Sequence, residues 1–301
     1  MIISWCHANF HTPSFMDLYE LQLSNPKIFP QFSVKDTLFL HYSCPQRNKV
    51  LPFFSKHISF AFTLSGKRIQ SHGNQRLVAS PNKGSFLKKC AYLQELPDDN
   101  DDWNVLLFYL KDGYLRSIFE EFRSHLSLNN LPEPNKEMIE SFEIDEHIRS
   151  CYKSFLPYFG NNKPVPESVL ENKFKELLFN IFSHPKNKHI LAYILKIVDR
   201  HQTPIWEVME ENYWYDLKIE DFANLANRSL STFKRDFNKH YNTTPGKWIT
   251  NRRLKRAKAF LKTTDKPIGE IAFDCGFKNR SHFSRIFKKK FSTSPSDFQK
   301  L

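Results

Sequence analysis

The sequence reads Phe233-Lys234-Arg235-Asp236-Phe237 and, fifty residues later, Phe283-Ser284-Arg285-Ile286-Phe287. Apolar, small and turn-forming residues around the two segments recur at nearly the same spacing, with one residue gained in the turn between them. Two copies with matched spacing indicate two copies of one supersecondary unit, and the pattern is that of a helix-turn-helix. The matched positions outside the segments are Ile219 and Ile268, Ala223 and Ala272, Ala226 and Cys275, Tyr241 and Phe291, Thr243 and Thr293, Pro245 and Pro295, and Trp248 and Phe298.

Each copy divides into a supporting helix, a turn and a second helix. In the first motif, residues 219–241, the second helix is predicted over 230–241. Ser229 is placed to cap this helix, because its hydroxyl can accept a free backbone N–H. In the second motif, residues 268–291, Asn279 has the capping place and the second helix is predicted over 280–290.

Helical periodicity gives each second helix one apolar face, which is expected to be core, and one polar face that is free to enter a DNA groove. An arginine there can donate two hydrogen bonds to guanine from its planar fork. A single arginine would more simply be a surface salt-bridge partner, but recurrence in both motifs favours base reading. The candidate reading residues are Ser231, Arg235 and Asn238 in the first motif and Ser281, Arg285 and Lys288 in the second.

A basic run crosses the segment between the motifs. Residues 245–262 are predicted to form one helix, which carries Arg252-Arg253-Lys255-Arg256-Lys258. We expect Arg252, Arg253 and Arg256 to clamp phosphates, because phosphate contacts supply affinity and register. The alternative for part of the run is an ordinary solvated helix face.

Positive charge is concentrated in the repeat. The chain of 301 residues has 44 Lys and Arg against 32 Asp and Glu. Residues 204–301 carry net +9 of the total +12, which leaves net +3 for residues 1–203. A concentration of positive charge on one domain attracts polyanions, so we expect double-stranded DNA as the partner. The length favours two domains, residues 1–203 and residues 204–301.

The N-terminal part has strand and turn signals in place of long helical periodicity. Between about 135 and 203 the pattern changes to helices, whose apolar stripes are expected to be core; pairing between the subunits of a homodimer is the alternative. Gln202-Thr203-Pro204 is the expected boundary. The predicted strand regions are 58–64, 68–78 with a turn at 72–74, 85–96 and 103–110, and a helix is predicted over 114–123.

Five cysteines without a CxxC pair argue against a disulfide framework or a zinc ribbon and suit a reducing cytoplasm. The start of the chain lacks the pattern of a secretory signal, and the longest apolar run, 105–110, is too short to cross a bilayer. We therefore expect a cytoplasmic protein that contacts no membrane.

The second motif carries a recognisable signature. Its residues are Ile268-Gly269-Glu270-Ile271-Ala272-Phe273-Asp274-Cys275-Gly276-Phe277, Ser281-His282-Phe283-Ser284-Arg285-Ile286-Phe287-Lys288-Lys289 and Ser294-Pro295. This signature resembles that of the AraC/XylS family of bacterial transcription regulators, and the resemblance covers residues 205–301. The resemblance implies a seven-helix module whose two second-position helices read successive major grooves on one face of DNA. It also adds Lys234 and Ser284 to the candidate reading residues.

The chain departs from the family pattern after each second helix. The family usually has glycine there, where the backbone must adopt a left-handed conformation, whereas this sequence has Asn242 and Ser292. Asparagine tolerates that conformation and serine does so less readily. We expect strain or a different cap at Ser292.

The N-terminal part resembles the family more loosely. Residues 60–67 and 84–89 are similar to the β-domain of the branch that contains type III secretion activators. The resemblance implies a cupin-like sensor domain with a helical linker, regulated by a small molecule or by a protein partner. His57 and His72 are isolated, without an HxH and a following Glu, so no metal or other cofactor is expected.

The sequence therefore predicts an α+β protein: a β-rich sandwich or barrel with a helical segment, followed by an all-α double helix-turn-helix domain. Its predicted function is sequence-specific transcription regulation; the resemblance implies activation and contact with RNA polymerase. One alternative is a DNA-targeted alkylation-repair enzyme, which would need an activated cysteine. Cys6-His7 is a poor candidate at a terminus, and no catalytic residue is expected. Another alternative, a basic architectural protein without sequence preference, is disfavoured by the paired arginines.

Overall fold

The computed structural model describes residues 15–35, 37–97, 102–159, 165–199 and 204–300. The chain forms two compact units, the N-terminal unit of residues 1–201 and the C-terminal unit of residues 202–301. Of the expected boundary Gln202-Thr203-Pro204, only Pro204 belongs to the described residues, and the Cys6-His7 pair lies outside them.

The N-terminal unit is built on two facing β-sheets. The order is β1-β4-β9-β6-β7 in the five-stranded sheet and β11-β8-β5-β10-β3-β2 in the six-stranded sheet. All neighbouring strands are antiparallel except the short pair β1 and β4. The strands are β1 (Met16–Asp17), β2 (Gln31–Val34), β3 (Thr37–Ser43), β4 (Val50–Ser55), β5 (Ile58–Ser65), β6 (Arg68–His72), β7 (Gln75–Ala79), β8 (Lys83–Leu87), β9 (Cys90–Glu95), β10 (Asn104–Leu110) and β11 (Ile139–Glu143).

Helices cover one face of the six-stranded sheet. Side chains alternate along β10, so that Leu106 and Phe108 pack in a core with the helices whereas Leu107 and Tyr109 pack on the opposite face. The alternation explains why this strand is apolar throughout: both of its faces are buried. The helices of this unit are α1 (Leu18–Leu23), α2 (Asp112–Phe122), α3 (Glu146–Lys153), α4 (Glu167–Ser183) and α5 (Lys188–Asp199).

A small network of buried polar side chains lies among the mainly apolar side chains on the inner face of the six-stranded sheet. The Gln22 amide donates to the Tyr42 hydroxyl and accepts from the Tyr109 hydroxyl, both at 2.8 Å. Burial raises the pKa of both tyrosines, so the phenols stay protonated. Nearby, Gln94 donates to Gln46 Oε1 at 2.9 Å. These buried amides and phenols satisfy one another, as buried polar groups must.

The structure confirms the predicted β-rich architecture and differs in two details. The region 85–96 holds two strands, β8 and β9, instead of one continuous strand. The region after 135, where only helices were expected, begins with β11, which pairs with β8. Both differences reflect pairing between residues distant in sequence, which local periodicity does not report. No described helix is long and apolar enough to span a membrane.

The C-terminal unit is all helical across residues 204–300, with the seven helices that the family resemblance implies. The two helix-turn-helix motifs are α7 with α8 and α10 with α11, and α9 connects them. The apolar core around the second motif includes Leu254 and Ala257 of α9. The helices are α6 (Ile205–Asn212), α7 (Ile219–Leu225), α8 (Leu230–Tyr241), α9 (Pro245–Thr263), α10 (Ile268–Asp274), α11 (Arg280–Phe291) and α12 (Pro295–Gln299).

Both predicted caps are confirmed. Ser229 accepts the backbone N–H of Thr232 at 3.3 Å, and Asn279 accepts that of His282 at 3.0 Å. Each bond satisfies one of the free donors at a helix start. The same local sequence therefore begins the second helix of each motif at the corresponding position.

Both second helices end in the left-handed conformation expected from the sequence. Asn242 has φ 51° and Ser292 has φ 62°, and each backbone N–H bonds to the carbonyl four residues earlier. A residue with a side chain is destabilised in the left-handed conformation, whereas glycine is not. The destabilisation is smaller for asparagine than for most other residues. The conformation is thus set by the chain reversal after each helix, even though neither residue is glycine.

Arg253 holds the C-terminal unit together from the middle of α9. Its Nε donates to the Tyr213 carbonyl at 2.6 Å, Nη2 to the Tyr215 carbonyl at 2.7 Å, and Nη1 to the Gly276 carbonyl at 2.6 Å. Burial lowers the pKa of the guanidinium, and the Asp216 carboxylate opposes that shift. Arg253 thus links the segment before α7 to the turn of the second motif.

These three bonds occupy the guanidinium of Arg253, one of the three predicted phosphate clamps. The guanidinium faces backbone carbonyls instead of solvent, and all three of its nitrogens already donate. Gly276 completes the arrangement: it has φ +85°, and a Cβ there would lie 2.4 Å from the Trp214 carbonyl oxygen. Only glycine allows this close approach.

Ser292→Gly should raise the free energy of unfolding by about 0.5 to 1 kcal/mol, because glycine removes the side-chain cost of the left-handed conformation. Asn242→Gly, the matched change after α8, should have less than half that effect. Urea denaturation of the full chain, followed by tryptophan fluorescence, measures both. Equal effects at the two positions, or a loss of stability in Ser292→Gly, would contradict the strain at Ser292.

Arg253→Gln should lower the free energy of unfolding by about 2 to 4 kcal/mol, because buried carbonyls lose charged donors. Lys255→Gln is the control on the exposed side of the same helix, and it should change stability by less than about 0.5 kcal/mol. The same denaturation experiment compares the two variants. A stable Arg253→Gln protein that has lost DNA affinity would restore the phosphate-clamp interpretation.

Candidate nucleic-acid interface

The polar face of α8 is exposed because its apolar face is fixed in the core. Phe233 and Phe237, one helical turn apart, are fully buried. The rotation of the helix about its axis is therefore determined by these two rings, and the opposite side chains must face solvent. The predicted reading residues Ser231, Lys234, Arg235 and Asn238 are all exposed.

The second motif has the same arrangement. Phe283 and Phe287 are fully buried and occupy the positions of the two phenylalanines in α8. Each α11 side chain on the opposite face is aligned with a residue of α8 fifty positions earlier. Of the predicted reading residues, Ser281, Arg285 and Lys288 are exposed and Ser284 is partly exposed.

Arg235 has a partner within the protein, whereas Arg285 has none among residues 204–300. The Nε of Arg235 lies 3.3 Å from Oδ1 of Asp236, and the Arg235 side chain is 74% exposed. The same carboxylate lies 3.6 Å from Nε of Arg228. Burial lowers the pKa of Arg228, and the charge of Asp236 opposes that shift. Such an exposed pair is weak and can open when a nucleic acid arrives.

Arg252 and Arg256 also make contacts inside the C-terminal unit. Arg252 forms an ion pair with Glu210, and its guanidinium lies 5.5 Å from the Trp248 ring. Arg256 lies over the Trp214 ring at 4.8 Å. These contacts hold α9 against its neighbours through cation–π attraction and charge pairing. The structure therefore gives two of the predicted phosphate clamps packing roles.

Lys255 is one of the basic residues of α9 that are not among the three predicted clamps. It is exposed and makes no ion pair among residues 204–300. The sequence indicated that Lys255 is exposed, because Asn251 and Ala259, four residues on either side of it, are polar or small. Both are exposed in the structure. By the same spacing, Arg253 stands between Ile249 and Ala257, which are buried.

Cys44, Cys151 and Cys275 are not the activated thiol that a repair enzyme would need. Burial raises the pKa of Cys275 to about 12, and Arg256 only partly opposes the shift. Burial also raises the pKa of Cys44 and of Cys151. A thiol with a raised pKa is protonated near neutral pH and is a poor nucleophile.

Among the described residues, no group of three or more His, Cys, Asp and Glu side chains could hold a metal ion. His57 illustrates the reason: burial, with Lys89, Lys56 and Lys111 nearby, lowers its pKa to about 4. Those positive neighbours would also repel a cation.

Two family models match the chain. One is described as a helix-turn-helix domain and matches residues 222–301. The other is described as the ExsA N-terminal regulatory domain and matches residues 59–193. The first covers most of the C-terminal unit, and the second covers the central part of the N-terminal unit.

Similar proteins extend over most of the chain. The HTH-type transcriptional regulator ExsA of Pseudomonas aeruginosa is 25% identical over 218 residues, which are 72% of this chain and 77% of that protein. The virulence regulon transcriptional activator VirF of Yersinia enterocolitica is 28% identical over 218 residues, 71% of this chain and 76% of that protein. Among solved structures, a regulator with an AraC-type DNA-binding domain from Chromobacterium violaceum is 30% identical, with a TM-score of 0.30, over 32% of this chain and 85% of that one.

The two models describe both units, and the relatives that span most of the chain are transcription regulators. The protein is therefore a DNA-binding transcription regulator, and these matches confirm the resemblance to the AraC/XylS family of bacterial transcription regulators.

Proposed function

We propose that one copy of this protein activates transcription by placing α8 and α11 in two successive major grooves of an asymmetric DNA site. One observation carries the proposal: each helix presents an arginine at the same position, opposite a fully buried pair of phenylalanines. Successive major grooves on one face of a duplex lie about 34 Å apart, one helical turn. Because the two helices differ in sequence, the two half-sites should differ as well.

The proposed contacts divide by residue type. Arg235 and Arg285 donate to guanine, because a guanidinium fits the two acceptors on its major-groove edge. The other base or nearby phosphate contacts come from Ser231, Lys234, Asn238, Ser281, Ser284 and Lys288. From α9, the proposed phosphate contacts are Arg252, Arg256 and the exposed Lys255, whereas the guanidinium of Arg253 is already engaged.

The N-terminal unit is proposed to receive the regulatory signal. The network of Gln22, Tyr42 and Tyr109 shows that the chain's own side chains occupy the inner face of the six-stranded sheet. This packing favours a protein partner on the outer surface over a small molecule held between the sheets. RNA polymerase is the proposed target of the bound activator.

Selection of bound sequences from a random DNA pool tests the proposed site. The full chain should enrich one non-palindromic sequence with two unlike blocks about one helical turn, roughly 10 base pairs, apart. Enrichment of a palindrome would contradict reading by a single protomer, and absence of any enriched sequence would contradict sequence-specific binding.

Arg235→Ala and Arg285→Ala should each weaken binding to the selected site by about 1 to 3 kcal/mol and relax base preference in one block only. Lys136→Ala removes an exposed positive charge from the N-terminal unit and serves as the control with unaltered affinity. A gel-shift titration measures all three. If both arginine variants bind like the control, these arginines do not read bases.

A further inference from the structure

The two motifs differ in charge at aligned surface positions. Counting His as neutral, α8 carries net +2 and α11 carries net +5. Four of the five differences make the second motif more positive, and one, Lys234 against Ser284, makes it less positive. The four are Leu230 and Arg280, Asp236 and Ile286, Asn238 and Lys288, and His240 and Lys290.

Asp236 places a carboxylate at the border between the buried face and the reading face of α8. It lies 3.3 Å from the Arg235 guanidinium and 3.6 Å from that of Arg228. Binding a phosphate with Arg235 would therefore compete with Asp236 and place a second negative charge near the first. Ile286, the aligned residue of α11, packs against the apolar core and offers no such competition.

Most cations of α11 have no acidic partner. Arg280, Arg285, Lys288 and Lys289 are exposed and form no ion pair within residues 204–300. Lys290 donates to Asn251 at 2.6 Å, a neutral partner that leaves its charge in place. Before α11, Lys278 of the turn does pair with Asp216, at 2.7 Å. No carboxylate of the C-terminal unit therefore has to be displaced from the cations of α11 before they meet a phosphate backbone.

We propose that the two motifs have different tasks on DNA, an inference that rests on the proposed sequence-specific binding. The second motif supplies most of the sequence-independent attraction to the phosphate backbone. The first motif, whose arginine is held by Asp236, supplies most of the sequence preference. Phosphate contacts release counterions and so make affinity depend on salt, whereas base contacts discriminate sequences. Both motifs contact bases, but the second contributes more to the attachment to the duplex and the first contributes more to the discrimination between sequences.

Lys239 and Lys289 offer a matched test, because both are exposed lysines at the same position of α8 and α11. Each is replaced by Gln in the full chain, and thermal melting verifies that folding is retained. Affinity is then measured across a series of KCl concentrations for the selected duplex and for a scrambled duplex of equal length. The slope of log affinity against log salt reports the number of phosphates neutralised.

Lys289→Gln should weaken binding to both duplexes by about fivefold near 0.15 M salt and reduce the slope by about 1. Lys239→Gln should change the slope by less than half as much. Equal slope changes in the two variants would overturn the division of tasks. If the unaltered chain binds both duplexes equally, sequence-specific binding itself fails, which is a separate outcome.

Asp236→Asn tests the other half of the inference. Removing the carboxylate should strengthen binding to the scrambled duplex more than to the selected one, so that the ratio of the two affinities falls severalfold. The control is Asp297→Asn, which removes an exposed carboxylate outside both motifs and should leave the ratio unaltered. A ratio unchanged in Asp236→Asn would overturn the role of Asp236 as a specificity determinant.

Discussion

The burial of two phenylalanines in each second helix is the constraint on which the DNA-binding surface depends. Phe233 and Phe237 in α8, and Phe283 and Phe287 in α11, are fully buried. Rings one turn apart on one face fix the rotation of a helix about its axis, so the residues opposite them are exposed whatever their chemistry. The exposed face is thus free to vary in sequence while the fold stays the same, which suits a surface that must match a particular DNA site.

Three arginines of the basic helix α9 make contacts within the C-terminal unit. Arg253 donates to three backbone carbonyls, Arg252 pairs with Glu210, and Arg256 lies over an aromatic ring. A run of arginines therefore does not by itself indicate a phosphate contact. The partly buried guanidinium of Arg253 donates to the Gly276 carbonyl and so supports the position from which α11 begins.

Local chemistry explains what the sequence could predict. The caps at Ser229 and Asn279 and the left-handed residues Asn242 and Ser292 follow from interactions within a few residues, and the structure contains all four. The β-rich N-terminal architecture was also predicted correctly. The strand β11 was missed because its partner β8 is more than fifty residues away, and no local pattern encodes that pairing. The role of Arg253 could not be predicted because its acceptors, the carbonyls of Tyr213, Tyr215 and Gly276, are distant in sequence. Only its position four residues from the buried Ile249 and Ala257 indicated that it faces the protein.

The two reading helices α8 and α11 differ in sequence and should bind the two unlike ends of one asymmetric site. Methylation interference tests this claim most directly, because dimethyl sulfate modifies guanine N7 in the major groove, where both arginines should bind. On the selected duplex, the full chain should show two clusters of interfering guanines about 10 base pairs apart on one face. A single cluster, or clusters arranged symmetrically about a dyad, would contradict the account.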